Sequence, residues 1–169
     1  VRETFEWDTV AWTRRIGLFG EPSASDSTRG MVYHTDLGKV VLVNYNGQTF
    51  EMWTWEGLRW SAINTSRRPT FRQHYSVVYD ELRQRIMMWG GSDPTGPQLD
   101  VWEYDGTNWT AISSPGPTGR NDATLAWDGV RGKVILFGGR TIAATPTPIS
   151  DMFDWNGAAW TRLTPAAVP

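Results

Sequence analysis

Apolar residues along this chain fall in short stretches of four to six, rich in β-branched and aromatic side chains. Turn residues (Gly, Pro, Asn, Asp, Ser) separate them. That pattern predicts short β-strands. No stretch of ten or more residues combines a 3.6-residue period with capping signals, so almost no helix is expected.

The stretches repeat. TFEWDTVAW, MWTWEGLRW, VWEYDGTNW and MFDWNGAAW end at Trp12, Trp60, Trp109 and Trp160, at intervals of 48, 49 and 51 residues. Each has an aromatic five residues before its last Trp (Trp7, Trp55, Tyr104, Trp155) and another seven before (Phe5, Trp53, Trp102, Phe153). Acids lead each segment at Glu3, Glu51, Asp100 and Asp151. A second block recurs between them. Asp26–Tyr45, Arg72–Gly91 and Arg120–Gly139 align without a gap, so that Tyr33, Tyr79 and Trp127 share one position. A fixed period near 46–51 residues marks a stacked repeat, with three complete copies here and a partial one in front.

In the second complete copy the four expected strands are His74–Tyr79, Arg85–Trp89, Asp100–Tyr104 and Asn108–Ile112. Asp105-Gly106 and Asn156-Gly157 are strong hairpin signals, because Gly accepts positive φ without steric cost. Glu56-Gly57 is weaker. In the partial copy Thr9 replaces the Gly, and a different turn is expected. The second strand of each copy (VVLV, IMMW, VILF) is apolar throughout, which predicts burial on both faces. One four-stranded unit cannot cover two apolar faces, but stacked units can. The expectation is all-β, with four-stranded antiparallel blades arrayed as in a β-propeller.

Composition fits this picture. The chain has 169 residues, 40% of them hydrophobic, with net charge −2, 11 Trp and no Cys. Acids outnumber bases, so no nucleic-acid partner is expected. The aliphatic runs are far shorter than the ~20 residues of a membrane span. The start, VRETFEWD, carries no secretory signal and reads as a mature chain, a trimmed one or an excised piece. Lack of Cys excludes disulfides and thiolate metal sites. It fits several compartments, extracellular and periplasmic among them. All 11 Trp occupy repeat positions, so the Trp excess reads as blade packing, not as a binding surface.

The sequence resembles the kelch-repeat β-propellers. The resemblance rests on the double glycines Gly90-Gly91 and Gly138-Gly139, the pairs Tyr79-Asp80 and Trp127-Asp128, the WEYDG-type third strand, and Trp60, Trp109 and Trp160 opening the fourth. It covers roughly residues 3–164. It implies strands running from the innermost to the outermost in each blade, with Arg72 and Arg120 at the start of inner strands. It implies closed rings of five to seven blades, and it does not specify function. The first complete copy departs from the pattern: Asp26 replaces Arg, His34 replaces Asp, and Asn44-Tyr45 replaces the double glycine.

The expected division is one propeller segment over 1–169, with a partial blade at 3–16 and blades at 26–66, 72–115 and 120–164. That is about three and a half blades, against the typical 4–8 of a closed ring. Three readings follow: a piece of a longer propeller, a homodimer that closes the ring, or an open arc with exposed apolar ends.

Candidate chemistry is sparse. His34 and His74 lie in neighbouring copies, without the ligand set a shared metal needs. No metal or other cofactor is expected. Arg72, Arg120 and Asn121 are candidates for a ligand at the channel mouth, since Arg recognises carboxylates bidentately. The competing role is structural, each Arg pairing with the recurring acid at Asp100 or Asp151. The loops at 92–99 and 140–150 differ most between copies, which makes Asp93 and Arg140 further binding candidates; His74 is another, with a structural or surface role favoured for it. Tyr45 and Trp89 could stack on a ligand if exposed, with core packing favoured for Trp89. There is no catalytic triad, nucleophile elbow, phosphate loop or zinc-protease motif. The Cys–Tyr cross-link of kelch-type copper oxidases cannot form.

The sequence therefore predicts a non-enzymatic module that binds a protein or a glycan through its mouth loops. A fragment of a carbohydrate-active enzyme and a self-associating structural repeat are the alternatives.

Overall fold

The computed structural model describes residues 3–15, 20–23 and 30–164. Asp26 lies outside them. The described residues form strands and loops without a helix. A two-stranded sheet pairs β1 (Thr4–Trp7) with β2 (Trp12–Arg15). Blade A is β3 (Gly30–His34), β4 (Lys39–Asn46), β5 (Thr49–Trp55) and β6 (Trp60–Ile63). Blade B is β7 (Ser76–Asp80), β8 (Arg85–Trp89), β11 (Val101–Tyr104) and β12 (Trp109–Ile112). Between β8 and β11 lies a small hairpin, β9 (Ser92–Asp93) and β10 (Gly96–Pro97), which the sequence did not announce. Blade C is β13 (Thr124–Asp128), β14 (Lys133–Phe137), β15 (Met152–Trp155) and β16 (Trp160–Leu163). All three blades are antiparallel meanders, and their first strands approach one another, β7 touching both β3 and β13. Among the described residues no strand closes these sheets into a ring.

Successive side chains of a strand point to opposite faces, and blade B spends its two faces on its two neighbours. Val41, Val43, Tyr45, Phe50 and Met52 of blade A pack against Tyr75, Tyr79, Ile86, Met88, Tyr104 and Trp109 of blade B. The other face of blade B supplies Val78, Met87, Trp89 and Val101 to a second core, shared with Leu125, Val134, Leu136 and Trp155 of blade C. The expected double-sided burial holds for β4 and β8. It fails for β14, where only Val134 and Leu136 are buried and Ile135 and Phe137 face away from blade B.

The aromatic pair that opens each outer hairpin keeps one geometry throughout. Ring centroids are 5.5 Å apart for Trp7–Trp12, 5.3 Å for Trp55–Trp60, 5.5 Å for Tyr104–Trp109 and 5.3 Å for Trp155–Trp160. The last three pairs face the preceding sheet. Trp55 Nε1 donates to Glu6 Oε1 at 2.6 Å, and Trp60 Nε1 to Thr4 Oγ1 at 2.8 Å. Among the described residues no sheet covers the Trp7–Trp12 pair. Trp7 is 51% and Trp12 66% exposed, whereas Trp109 is 0%. The expectation that every Trp serves blade packing is thus corrected at these two residues.

The outer hairpins also correct the expected two-residue turns. Tyr104 pairs directly with Trp109, so four residues form the loop. Asp105 Oδ1 accepts from the amides of Thr107 and Asn108, at 2.8 and 2.9 Å, and Gly106 sits at φ 93°. Asn156 and Gly157 repeat the arrangement. So does the partial copy, against expectation: Asp8 Oδ1 accepts from Val10 and Ala11, and Thr9 is held at φ 82°. The sheet register and the Asp8 cap force this β-branched residue into glycine's conformation.

Candidate binding site at the start of the inner strands

Most of the candidate residues turn out to be committed to the fold. Arg72 and Arg120 are fully buried. Arg72 Nη1 and Nη2 reach the two oxygens of Asp100 at 2.7 and 3.1 Å, and Nε donates to Thr70 O at 3.3 Å. Arg120 holds Asp151 in the same bidentate way, and adds Thr118 O at 2.9 Å and Gly138 O at 3.1 Å. A buried guanidinium needs such pairing to offset its lost hydration. Burial pushes the Asp100 carboxyl up, but the bonds and charge of Arg72 outweigh this and hold it below the ordinary value. Glu51, the corresponding acid of blade A, takes Ser23 instead: the amide at 3.1 Å and the hydroxyl at 2.6 Å.

Tyr45 is fully buried rather than exposed. Its hydroxyl donates to Thr70 O at 2.8 Å, and burial pushes its pKa well up. Its ring packs in the core between blades A and B, against Phe50, Phe71 and Tyr75. Trp89 is buried between blades B and C, with Trp160 at 5.7 Å. Asp93 is spent on its own turn, accepting from Thr95 N at 2.7 Å and Gly96 N at 3.1 Å. His34 is buried against Tyr79, ring centroids 4.5 Å apart, and burial pushes its pKa down. Among the described residues no group of three or more His, Asp and Glu could hold a metal ion.

Three residues do come together at the surface. His74 and Asp122 occupy the same repeat position in blades B and C, and both adopt left-handed backbone, φ 59° and 57°. The turn each of them makes carries the chain into its inner strand. The following double glycine packs on that turn: a Cβ on Gly139 would lie 2.8 Å from Asn121 O and 3.1 Å from Ala123 N. Only a residue without a side chain fits there. The two turns are joined by Asp122 N donating to His74 O at 3.0 Å. Their side chains meet as well, His74 Nδ1 and Asp122 Oδ1 lying 3.0 Å apart. Arg140 Nε donates to Asp122 Oδ2 at 2.6 Å, and its backbone bridges to Asn121. Asn121 is therefore at the site mainly through its main chain.

Beside this trio lies an open cleft of about 410 Å3. Gly30, Met31, Tyr75, Ser76, Asp122 and Thr124 line it, so it lies where β3, β7 and β13 begin. Ser76 Oγ donates to Ala123 O across the B–C boundary. In the trio the Asp122 carboxylate sits between the Arg140 guanidinium and the His74 imidazole.

Sequence reasoning reached His74, Arg140 and Asn121 but missed Asp122, the residue that joins them. Its signal was present in the alignment. His and Asp at one repeat position, just before an inner strand, are residue types enriched among non-glycine left-handed conformations.

No protein-family model and no curated protein matches this chain. Solved structures do. The structure of YjhT superposes with TM-score 0.63 at 11% identity, over 81% of this chain and 50% of that one. The fold is β-propeller-like. This chain spans about half the length of YjhT. A fucose lectin from Kordia zhangzhouensis, solved with methyl-fucoside, gives TM-score 0.49 at 13% identity, covering 84% of this chain and all of the lectin. At that level it adds nothing to the assignment. No helix is long and apolar enough to cross a membrane among the described residues.

Proposed function

We propose that this chain is a kelch-like, non-enzymatic propeller module that binds an uncharged polar ligand at the start of its inner strands. A carbohydrate is the ligand class that fits best. The observation that carries the reading is the His74–Asp122–Arg140 trio beside the cleft. Asp122 is bonded to Arg140, so the site offers little net charge to an ionic ligand. It offers donors and acceptors from three side chains, plus the hydroxyls of Ser76 and Thr124, against an apolar wall of Met31 and Val77. That mixture suits sugar hydroxyls and C–H faces. A peptide main chain is the second ligand that such donors and acceptors fit.

Glycan-array screening followed by calorimetry tests the reading. Asp122→Asn keeps the shape and removes the carboxylate. It should weaken a bound glycan about tenfold or more, the cost of losing charge-assisted hydrogen bonds. Ligand binding that Asp122→Asn and Arg140→Ala both leave intact would place the site elsewhere.

A further inference from the structure

The chain's own internal interfaces supply a matching rule, and its two ends leave that rule half satisfied. In two of the outer hairpins, the residue before the first aromatic of the pair bonds to the next sheet. In the β1–β2 sheet this is Glu6, and its partner in blade A is Trp55, whose Nε1 donates to Oε1 at 2.6 Å. Glu6 Oε2 takes the cation of its own sheet, Arg15, at 2.7 Å. In blade B the residue is Glu103, and Trp155 Nε1 of blade C donates to it at 3.2 Å. In blade A the residue at this repeat position is Thr54, and the aromatic at the matching position of blade B is Tyr104, which has no indole. Its hydroxyl goes to Gly106 O instead, at 2.8 Å. Acid thus accompanies indole, and a neutral residue accompanies phenol, within one chain.

Two members remain unmatched among the described residues. Blade C has the acid: Asp154 Oδ1 takes its own cation, Lys133, at 3.2 Å, as Glu6 takes Arg15, and Oδ2 has no partner among the described residues. It lies on the open face of blade C with Ile135 and Phe137. The β1–β2 sheet has the indole: Trp7 stands exposed beside Trp12 and Phe5. These are the two halves of the interface that the chain already builds between its own sheets.

We propose that a second copy of this chain docks head to tail on the first, its Phe5, Trp7 and Trp12 covering the blade C face at Ile135 and Phe137. Trp7 Nε1 of the second copy donates to Asp154 Oδ2 of the first. Two copies related by a twofold axis along the channel make this contact twice, each giving its β1–β2 sheet to one contact and its blade C face to the other. The docking concerns the outer strands. Met31 and Tyr33, exposed on β3 at the same end, take no part in it.

Sedimentation equilibrium on the intact chain tests this. The wild type should associate with rising concentration toward twice its 19.1 kDa. Trp7→Phe retains the ring and removes the donor, and should weaken association about tenfold or more, as loss of a hydrogen bond to a charged acceptor does. Asp154→Lys sets an ammonium against the indole edge and should abolish association. Thr110→Lys, on the exposed outer strand of blade B, should leave it unchanged. Each variant is compared with the wild type by thermal melting at dilution, so that only folded proteins are scored. A wild type that stays monomeric into the hundreds of micromolar would overturn the proposal. So would association that Trp7→Phe and Asp154→Lys leave untouched.

Discussion

Blade B and the two ends of the chain are written in the same pattern and have different fates. Ile86, Met87, Met88 and Trp89 of β8 are all buried, because blade A covers one face and blade C the other. Val134 to Phe137 of β14 repeat that apolar run, yet only every second residue is buried. The pair Tyr104–Trp109 is enclosed by blade A, while Trp7–Trp12 holds the same ring geometry in solvent. Burial here is a property of the neighbour, not of the residue. A repeat sequence specifies an interface, and whether it is filled depends on what stands next to it.

The sharpest way to break the comparison is to truncate matched aromatics. Trp109→Ala should cost about 3–5 kcal/mol, the usual range for emptying a buried Trp site. Trp12→Ala in the dilute protein should stay within about 1 kcal/mol, since little is lost at an exposed site. Chemical denaturation of the two variants compares them directly, and equal losses would contradict the burial difference.

Next is the contrast between a buried and an exposed arginine. Arg120→Ala strands Asp151 without its partner and should cost about 3–5 kcal/mol. Arg140→Ala should change stability by no more than about 0.5 kcal/mol, being a surface pair, while reducing ligand binding at Asp122. A smaller effect is expected at the partial blade. Thr9→Gly relieves a β-branched residue at φ 82° and should raise stability by about 0.5–1 kcal/mol, net of the entropy glycine adds to the unfolded chain. An unchanged or lower melting temperature would mean that the turn is not strained.

The smallest effect concerns Glu6 and Glu103, which do the same work at the end and in the middle. Glu6 is half-buried, and the hydrogen bond from Trp55, then that from Arg15, hold its pKa below the ordinary value. Burial pushes Glu103 above it, against the opposing bond from Trp155. The signs for stability are therefore opposite. Glu6 contributes stability above the unfolded-state pKa, and this is lost as pH falls through its lowered folded value. Glu103 contributes below the unfolded-state pKa, and this is lost as pH rises through its raised folded value. Carboxyl NMR titration should place Glu103 above Glu6, and the reverse order would contradict the burial assigned to Glu103.

Much of the architecture was legible because the repeats were gapless. Aligned Trp and Gly positions marked out the strands, and unbroken apolar runs announced two-sided packing. The site was less legible, for a physical reason. A recurring Arg looks the same in sequence whether it faces a ligand or a buried Asp, and only the fold showed Arg72 and Arg120 closed on Asp100 and Asp151. Tyr45 misled because it is buried by Phe71 and Tyr75, which come from outside its own blade. Asp122 escaped notice because its partners, His74 and Arg140, are 48 residues before and 18 after it.

Hydrogen exchange of the indole N–H groups, followed by NMR, tests the central claim most directly. In dilute protein, Trp109 and Trp155 should be strongly protected, Trp7 and Trp12 should exchange near the free rate, and protection of Trp7 should appear as concentration rises. Trp7 and Trp12 protected at dilution to the same degree as Trp109, or Trp109 exchanging as fast as Trp12, would contradict the account.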